Sequence, residues 1–235
     1  MTQQIEEARA QIVATVRDFV QKEVLPKASK YDEEDIYPQE LIDQMNEMGL
    51  FGIAIPEKYG GLGLDYTTFA MIFEEIAKGW MSLTGPLGTH SILAYVLNHH
   101  GTDEQKSHWI PLLARGELRG GLALTESNAG SDVASMQTTA VRDGEEYVIN
   151  GSKLFITNGR YGSVYLLLAK TDRDAKPAHQ GISAFIAEKG PGFNVGRDLN
   201  KLGYRGVDTC ELTFQDFRIP AENLVGGVEG RGFYQ

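Results

Sequence analysis

The chain has 235 residues, 42% of them hydrophobic, with 22 Lys+Arg against 32 Asp+Glu for a net charge of −10. That length allows one large or two ordinary domains with cores of their own. The acidic balance argues against binding nucleic acid or an anionic membrane surface, both of which need basic patches. A single cysteine, Cys210, rules out an internal disulfide and a cysteine metal cluster and points to a reducing compartment.

In chain order, Ile5, Ala8, Ile12, Val13, Val16, Phe19, Val20 and Val24 recur at three- and four-residue spacings. This is one face of a helix, which Pro26 is expected to end. Before it, the acidic start 1–7 lacks the basic, apolar pattern of a signal peptide, and even the longest apolar runs, such as 164–169, are too short to span a bilayer. A soluble, cytoplasmic protein is the expectation. The acidic run 32–35 reads as a solvated face, and Pro38 opens a helix over 39–48 that Gly49 closes. The glycine-rich 59–63 lacks the setting of a dinucleotide loop and reads as a turn. Helical periodicity returns at 66–78, 82–99 and 103–114, the last behind a Thr102 N-cap. His90, His99, His100 and His108 fall here without metal-ligand spacing, and Glu74 and Glu75 are adjacent rather than one turn apart, so no metal site is expected.

After Gly116 the pattern changes to short runs rich in Val, Ile, Phe, Tyr and Thr, broken by Gly, Asn, Asp and Pro. These are strand signatures, expected at 119–125, 137–142, 146–149, 152–157, 163–170, 182–187 and 209–217. The charge changes at the same place: 1–117 holds 9 Lys+Arg against 18 Asp+Glu, whereas 118–235 holds 13 against 14. The expectation is an α+β chain, with an all-α domain over 1–117, an antiparallel β-barrel or sandwich over 118–225, and a glycine-rich linker over 226–235. Cys210 falls in a strand and reads as core filler.

Two stretches carry chemistry. In the first, 120–132, an apolar run ending at Leu124 meets a polar turn. Thr125 and Ser131 offer hydroxyls suited to ring carbonyls or phosphate oxygens, and Gly130 admits close approach of a ligand. An ordinary strand-to-loop junction explains those residues equally well. In the second, 149–159, Asn150-Gly151 marks a tight turn and a strand with Phe155 follows, closed by Asn158-Gly159.

Together, "LALTESNAGSD" and "INGSKLFITNG" resemble the acyl-CoA dehydrogenase family, whose motifs are aromatic-x-x-Thr-Glu-x-x-x-Gly-Ser-Asp and Gly-x-Lys-x-(Trp/Phe)-Ile-Thr-Asn. Family-like runs at 56–63, 101–106, 208–212 and 217–224 extend the resemblance over essentially the whole chain. It implies a flavoprotein that uses FAD. Thr125 would meet the pyrimidine edge of the isoalloxazine, and Gly130 and Ser131 would lie near the pyrophosphate, with Ser131 also near the acyl-CoA pantetheine arm. Phe155, Ile156 and Thr157 would pack against the ring, with Thr157 near N5. Leu122 and Leu124 are carried over as further cofactor-binding positions. Leu122 replaces the commoner aromatic, Ser127-Asn128 the commoner Pro-Gly, and Phe155 the Trp of several members; each swap keeps shape or turn chemistry, and the electron-acceptor preference stays open.

The activity implied is α,β-dehydrogenation of an acyl-CoA thioester to a trans-2-enoyl-CoA, with electron-transfer flavoprotein as acceptor, in a homotetramer. In the family a glutamate of a third, helical domain removes the Cα proton while hydride leaves Cβ. The chain stops at Gln235, so it is expected to lack that domain and, alone, to be inactive, with no catalytic residue assigned within it. Glu126 is not taken as the base, because side chains alternate along a strand and Thr125 claims the ring side. An acyl-CoA oxidase, nitroalkane oxidase or flavin monooxygenase on the same fold, and a non-catalytic subunit completed by a partner chain, remain alternatives.

Overall fold

The computed structural model describes residues 2–235 and side chains from Glu6; the Ile5 side chain of the expected helix face lies outside the described residues. Helix α1 (Thr2–Phe19) passes through a π-helical turn (Val20–Val24) directly into α2 (Leu25–Glu34). Pro26 therefore does not end the helix, contrary to expectation. The π turn, in which the Leu25 N–H donates to the Val20 carbonyl, has already interrupted the i→i−4 ladder that proline disrupts, leaving Pro26 in a tolerant first turn. Asp35 in the left-handed conformation ends α2.

Helix α3 (Gln39–Glu47) buries Leu41, Ile42 and Met45 and stops at Gly49, whose φ of 73° caps it as expected. The Asp65 carboxylate accepts the Thr68 N–H at 3.0 Å to start α4 (Tyr66–Trp80). Next come α5 (Thr84–His100) and α6 (Asp103–Ala114), the latter opened by a Thr102–Gln105 capping box. No helix among the described residues is long and apolar enough to cross a membrane.

Seven strands follow: β1 (Gly120–Ala123), β2 (Thr139–Asp143), β3 (Glu146–Thr157), β4 (Val164–Lys170), β5 (Ile182–Glu188), β6 (Phe193–Asp198) and β7 (Thr209–Pro220). They form one sheet in the order β1-β4-β2-β3-β7-β6, with β5 also on β4. The sheet is mixed, not purely antiparallel: β1 runs parallel to β4, from Gly120 opposite Val164 to Ala123 opposite Leu167. Parallel neighbours need a long crossover, and the β2–β3 hairpin lies inside this one. The strands expected at 146–149 and 152–157 are a single strand, because β7 pairs with both halves; Asn150-Gly151 is a bulge, across which the Asn150 side chain bonds Asp216. Strand β6, with only Phe193 and Val195 turned toward the core and charged residues at its end, was not among the strands expected.

Three apolar cores result. One lies within α1–α5 around Leu41, Ile72, Ile76 and Leu83. A second joins Leu93, Leu97, Ile110 and Leu113 of α5 and α6 to Val164, Leu166, Ile182 and Ile186 of the sheet. The third covers the opposite face of the sheet with Tyr147, Tyr165, Phe185 and Phe214. The terminal glycine-rich segment lies along β5, where the Gly232 N–H donates to the Ile182 carbonyl at 2.9 Å and the Gly230 N–H to Ser183 Oγ at 2.9 Å.

Candidate functional site

Where β1 ends, the chain leaves the sheet as a loop that β3 holds in place. The Leu154 N–H donates to the Thr125 carbonyl at 2.8 Å, and Lys153 Nζ to the Leu124 carbonyl at 3.1 Å. The loop closes on itself through Glu126 and Ala129, which exchange backbone hydrogen bonds. Gly130 and Ser131 follow, exposed.

Opposite this loop β3 bulges between Lys153 and Ile156. Phe155 sits in the bulge with φ of 62° and is 61% exposed. A left-handed backbone costs an ordinary side chain about 1–2 kcal/mol, and an exposed aromatic gains little from folding to offset it. Strain of this kind collects at binding sites. Thr157, two residues on, pairs with Thr209 and brings its carbonyl beside Gly121, where a Cβ would lie 3.3 Å away. Among the described residues the hydroxyls of Thr125, Ser131 and Thr157 take no protein hydrogen-bond partner.

The remaining expected positions divide between the two faces. Leu122 and Leu124 turn toward α5 and line a cavity of about 260 Å³ with Ile92, Val96, Leu166 and Leu168. A second cavity of about 390 Å³ lies between α4 and α5, with Phe69, Phe73 and Tyr95 in its wall, and also has Ile92 in its lining. Ile156 is buried in the third core opposite Cys210 and turns its side chain away from the Phe155 side of the strand.

Three residues within the motifs hold this geometry and were not singled out for it from sequence. Asn158, buried with φ of 60°, donates from Nδ2 to the Pro86 carbonyl at 2.9 Å, Thr89 Oγ1 at 3.1 Å and the Gly120 carbonyl at 2.8 Å. It thereby pins the end of β3 to α5 and β1. Lys153 and Glu126 form a buried ion pair at 2.9 Å. Burial alone would raise the Glu126 carboxyl, but the Lys153 ammonium and the donors at Gln137 and Thr138 outweigh it and hold the group below its ordinary value. Only Lys153 carried a signal: a lysine leading into Leu154-Phe155-Ile156 within a strand needs a partner if it is buried, though nothing local names which. At Cys210, burial first and the bond from Sγ to Asp198 at 2.8 Å second push the thiol up, the opposite of what a nucleophile needs.

Residues 6–117 match the acyl-CoA dehydrogenase N-terminal domain and residues 121–217 its middle domain. The chain belongs to the acyl-CoA dehydrogenase family. The short-chain-specific acyl-CoA dehydrogenase of Clostridium acetobutylicum is 44% identical over 220 residues, 93% of this chain and 57% of that protein. The butyryl-CoA dehydrogenase structure from Megasphaera elsdenii superposes with a TM-score of 0.91 at 38% identity, covering 96% of this chain and 60% of that one. A chain solved in work on the electron transferring flavoprotein of Acidaminococcus fermentans superposes with a TM-score of 0.91 at 40% identity, covering 96% and 59%. The chain spans 57%, 60% and 59% of the length of these three relatives, and the expected order of an all-α region followed by a β region, here a curled mixed sheet, is the acyl-CoA dehydrogenase architecture. Members of this family are flavoproteins and oxidoreductases.

Proposed function

We propose that the Thr125 loop and the Phe155 bulge are the protein's contribution to an FAD site, in an enzyme that dehydrogenates an acyl-CoA thioester to a trans-2-enoyl-CoA. The observation that carries this reading is Phe155, an exposed aromatic in a strained backbone, beside the loop that carries Thr125 and Ser131, whose hydroxyls take no protein partner among the described residues. Such a set fits a planar ring with a hydrogen-bonding edge. Thr125 would hold the pyrimidine edge, Phe155 and Thr157 the ring, and Gly130 and Ser131 the pyrophosphate and pantetheine oxygens. For Ile156 the burial of its side chain leaves a backbone role. FAD, when bound, supplies the hydride acceptor. The chain's own residues orient it: the Thr125 and Thr157 hydroxyls favour negative charge developing on the ring, and the Phe155 side chain keeps water away. Leu122, Leu124 and the α5 cavities are suited to an acyl chain, being lined mainly by apolar side chains.

Glu126 is not the base. Its carboxylate is neutralised by Lys153 and accepts two backbone N–H groups, so it has neither the freedom nor the basicity to take a proton from Cα. The base is assigned to a polypeptide segment outside residues 1–235. Electron-transfer flavoprotein as acceptor, a homotetramer and a cytoplasmic location complete the reading, the first supported by the similarity to the chain from the Acidaminococcus fermentans work.

The test is titration of the purified protein with FAD, followed by flavin fluorescence and visible absorption. Saturable binding that Phe155→Ala weakens is expected. Absence of binding by correctly folded protein overturns the assignment.

A further inference from the structure

We infer that the Glu126–Lys153 ion pair is a positioning device, which fixes the distance between the Thr125 loop and the Phe155 bulge and thereby sets the affinity of the site for flavin. The inference rests on the FAD reading above for its ligand, and on geometry alone for its mechanics.

Lys153 Nζ contacts Glu126 Oε1 at 2.9 Å and the Leu124 carbonyl at 3.1 Å, and both side chains are almost fully buried. The Glu126 carboxylate also accepts the N–H of Gln137 at 2.6 Å and of Thr138 at 3.0 Å. One carboxylate therefore holds both ends of the loop from 124 to 138, and one ammonium ties that closed loop to β3. Thr125, Gly130 and Ser131 all lie on the loop so clamped. On the strand, Lys153 is the last residue paired before the bulge, two positions from Phe155.

Stability does not account for this arrangement. Replacing a buried ion pair by apolar residues of similar volume is often neutral or stabilising. What a fully satisfied buried network supplies is a single arrangement, since any shift of the loop strands a charge in the interior. The half-buried Arg17–Glu75 pair joining α1 and α4, in which Lys78 also contacts Glu75, is likewise a cation–carboxylate contact and touches no part of the site, so it is the control.

The experiment compares the parent protein with Glu126→Gln/Lys153→Met, which removes both charges and leaves an acceptor for one of the two backbone donors, and with Glu75→Gln. Three quantities are read: unfolding free energy, FAD dissociation constant by flavin fluorescence quenching, and amide exchange at Leu154, whose N–H spans loop and strand. Expected is a folded double variant with FAD affinity lower by about tenfold or more and faster exchange at Leu154 than at Ile149 of the same strand. Glu75→Gln should leave FAD affinity and the Leu154-to-Ile149 ratio unchanged, whatever its stability. FAD affinity within twofold of the parent, or a loss that Glu75→Gln reproduces at equal stability, overturns the inference. A parent that binds no FAD refutes the flavin reading separately; the exchange ratio at Leu154 then decides whether the pair positions the loop.

Discussion

Phe155 occupies a backbone conformation that glycine adopts freely. In Phe155→Gly, relief of about 1–2 kcal/mol of left-handed strain opposes an entropic cost of about 0.5–1 kcal/mol, and the exposed ring gives up little packing. Stability by urea unfolding should stay within about 1 kcal/mol of the parent while FAD affinity falls; a loss above about 2 kcal/mol would make the ring a structural residue. His90 behaves differently. It is buried, its Nδ1 accepts the Gly120 N–H at 3.1 Å, and burial first of all lowers its pKa from 6.5 to about 4. Because the folded state titrates below the unfolded one, protonation favours unfolding. This contribution to stability is fully present above about pH 6.5 and is lost as pH falls toward 4, by up to about 3 kcal/mol. His90→Asn keeps an acceptor for Gly120 and removes the titration, so its stability should change less between pH 7 and 4.5 than the parent's in parallel urea melts. The residue scale is also where sequence was least complete. Thr125 and Phe155 stood out by type and motif, but the positive φ of Phe155 arises from one extra residue between the pairs Lys153–Leu212 and Ile156–Cys210, a property of two strands together. Glu126 and Lys153 are 27 residues apart, and nothing local marks them as partners.

The helix expected to end at Pro26 and the two strands expected either side of Asn150-Gly151 fail for a common reason. Each breaker is real, but a neighbouring irregularity absorbs it: the π turn before Pro26, and the bulge at Asn150-Gly151 that β7 bridges. By contrast Thr102, Gly49 and the limits of α6 were legible because caps act within one turn. The π turn also shapes packing, since it presents Val20 to α4 where Gly79 leaves room; a Cβ at 79 would lie 2.5 Å from Val20 Cγ1. Gly79→Ala should therefore cost about 1–3 kcal/mol by overpacking against a stiff β-branched side chain. Gly88 in α5 has Phe73 at 3.7 Å as its nearest neighbour, so Gly88→Ala should gain about 0.5–1 kcal/mol from helix propensity. Thermal unfolding of the two variants side by side distinguishes them, and equal shifts would refute the role given to the π turn.

Charge and hydrophobic pattern both change near Gly116, yet the molecule is joined across that point by more than a chain connection. A shared core runs from Leu97, Ile110 and Leu113 to Leu166, Ile182 and Ile186. Gln105 in α6 donates from Nε2 to the carbonyls of Glu222 at 2.7 Å and Leu224 at 2.8 Å, and its Oε1 accepts the Gly226 N–H at 3.1 Å. Asn158 ties β3 to α5, and Asp35 accepts the Gly206 N–H at 2.7 Å. Neither half can unfold without exposing part of the shared core and losing these hydrogen bonds, at about 0.5–1.5 kcal/mol each. The 235-residue chain should accordingly unfold in one transition, with calorimetric and van't Hoff enthalpies equal. Asn158→Ala, which strips the donor from the Pro86 and Gly120 carbonyls, should lower that transition by about 2 kcal/mol or more without splitting it. Two resolved transitions in the parent would show that helical and sheet regions fold separately. A single one places the candidate flavin residues, which lie where β1 and β3 meet α5, at the seam of a cooperative unit, where any loosening of the seam reaches the ligand.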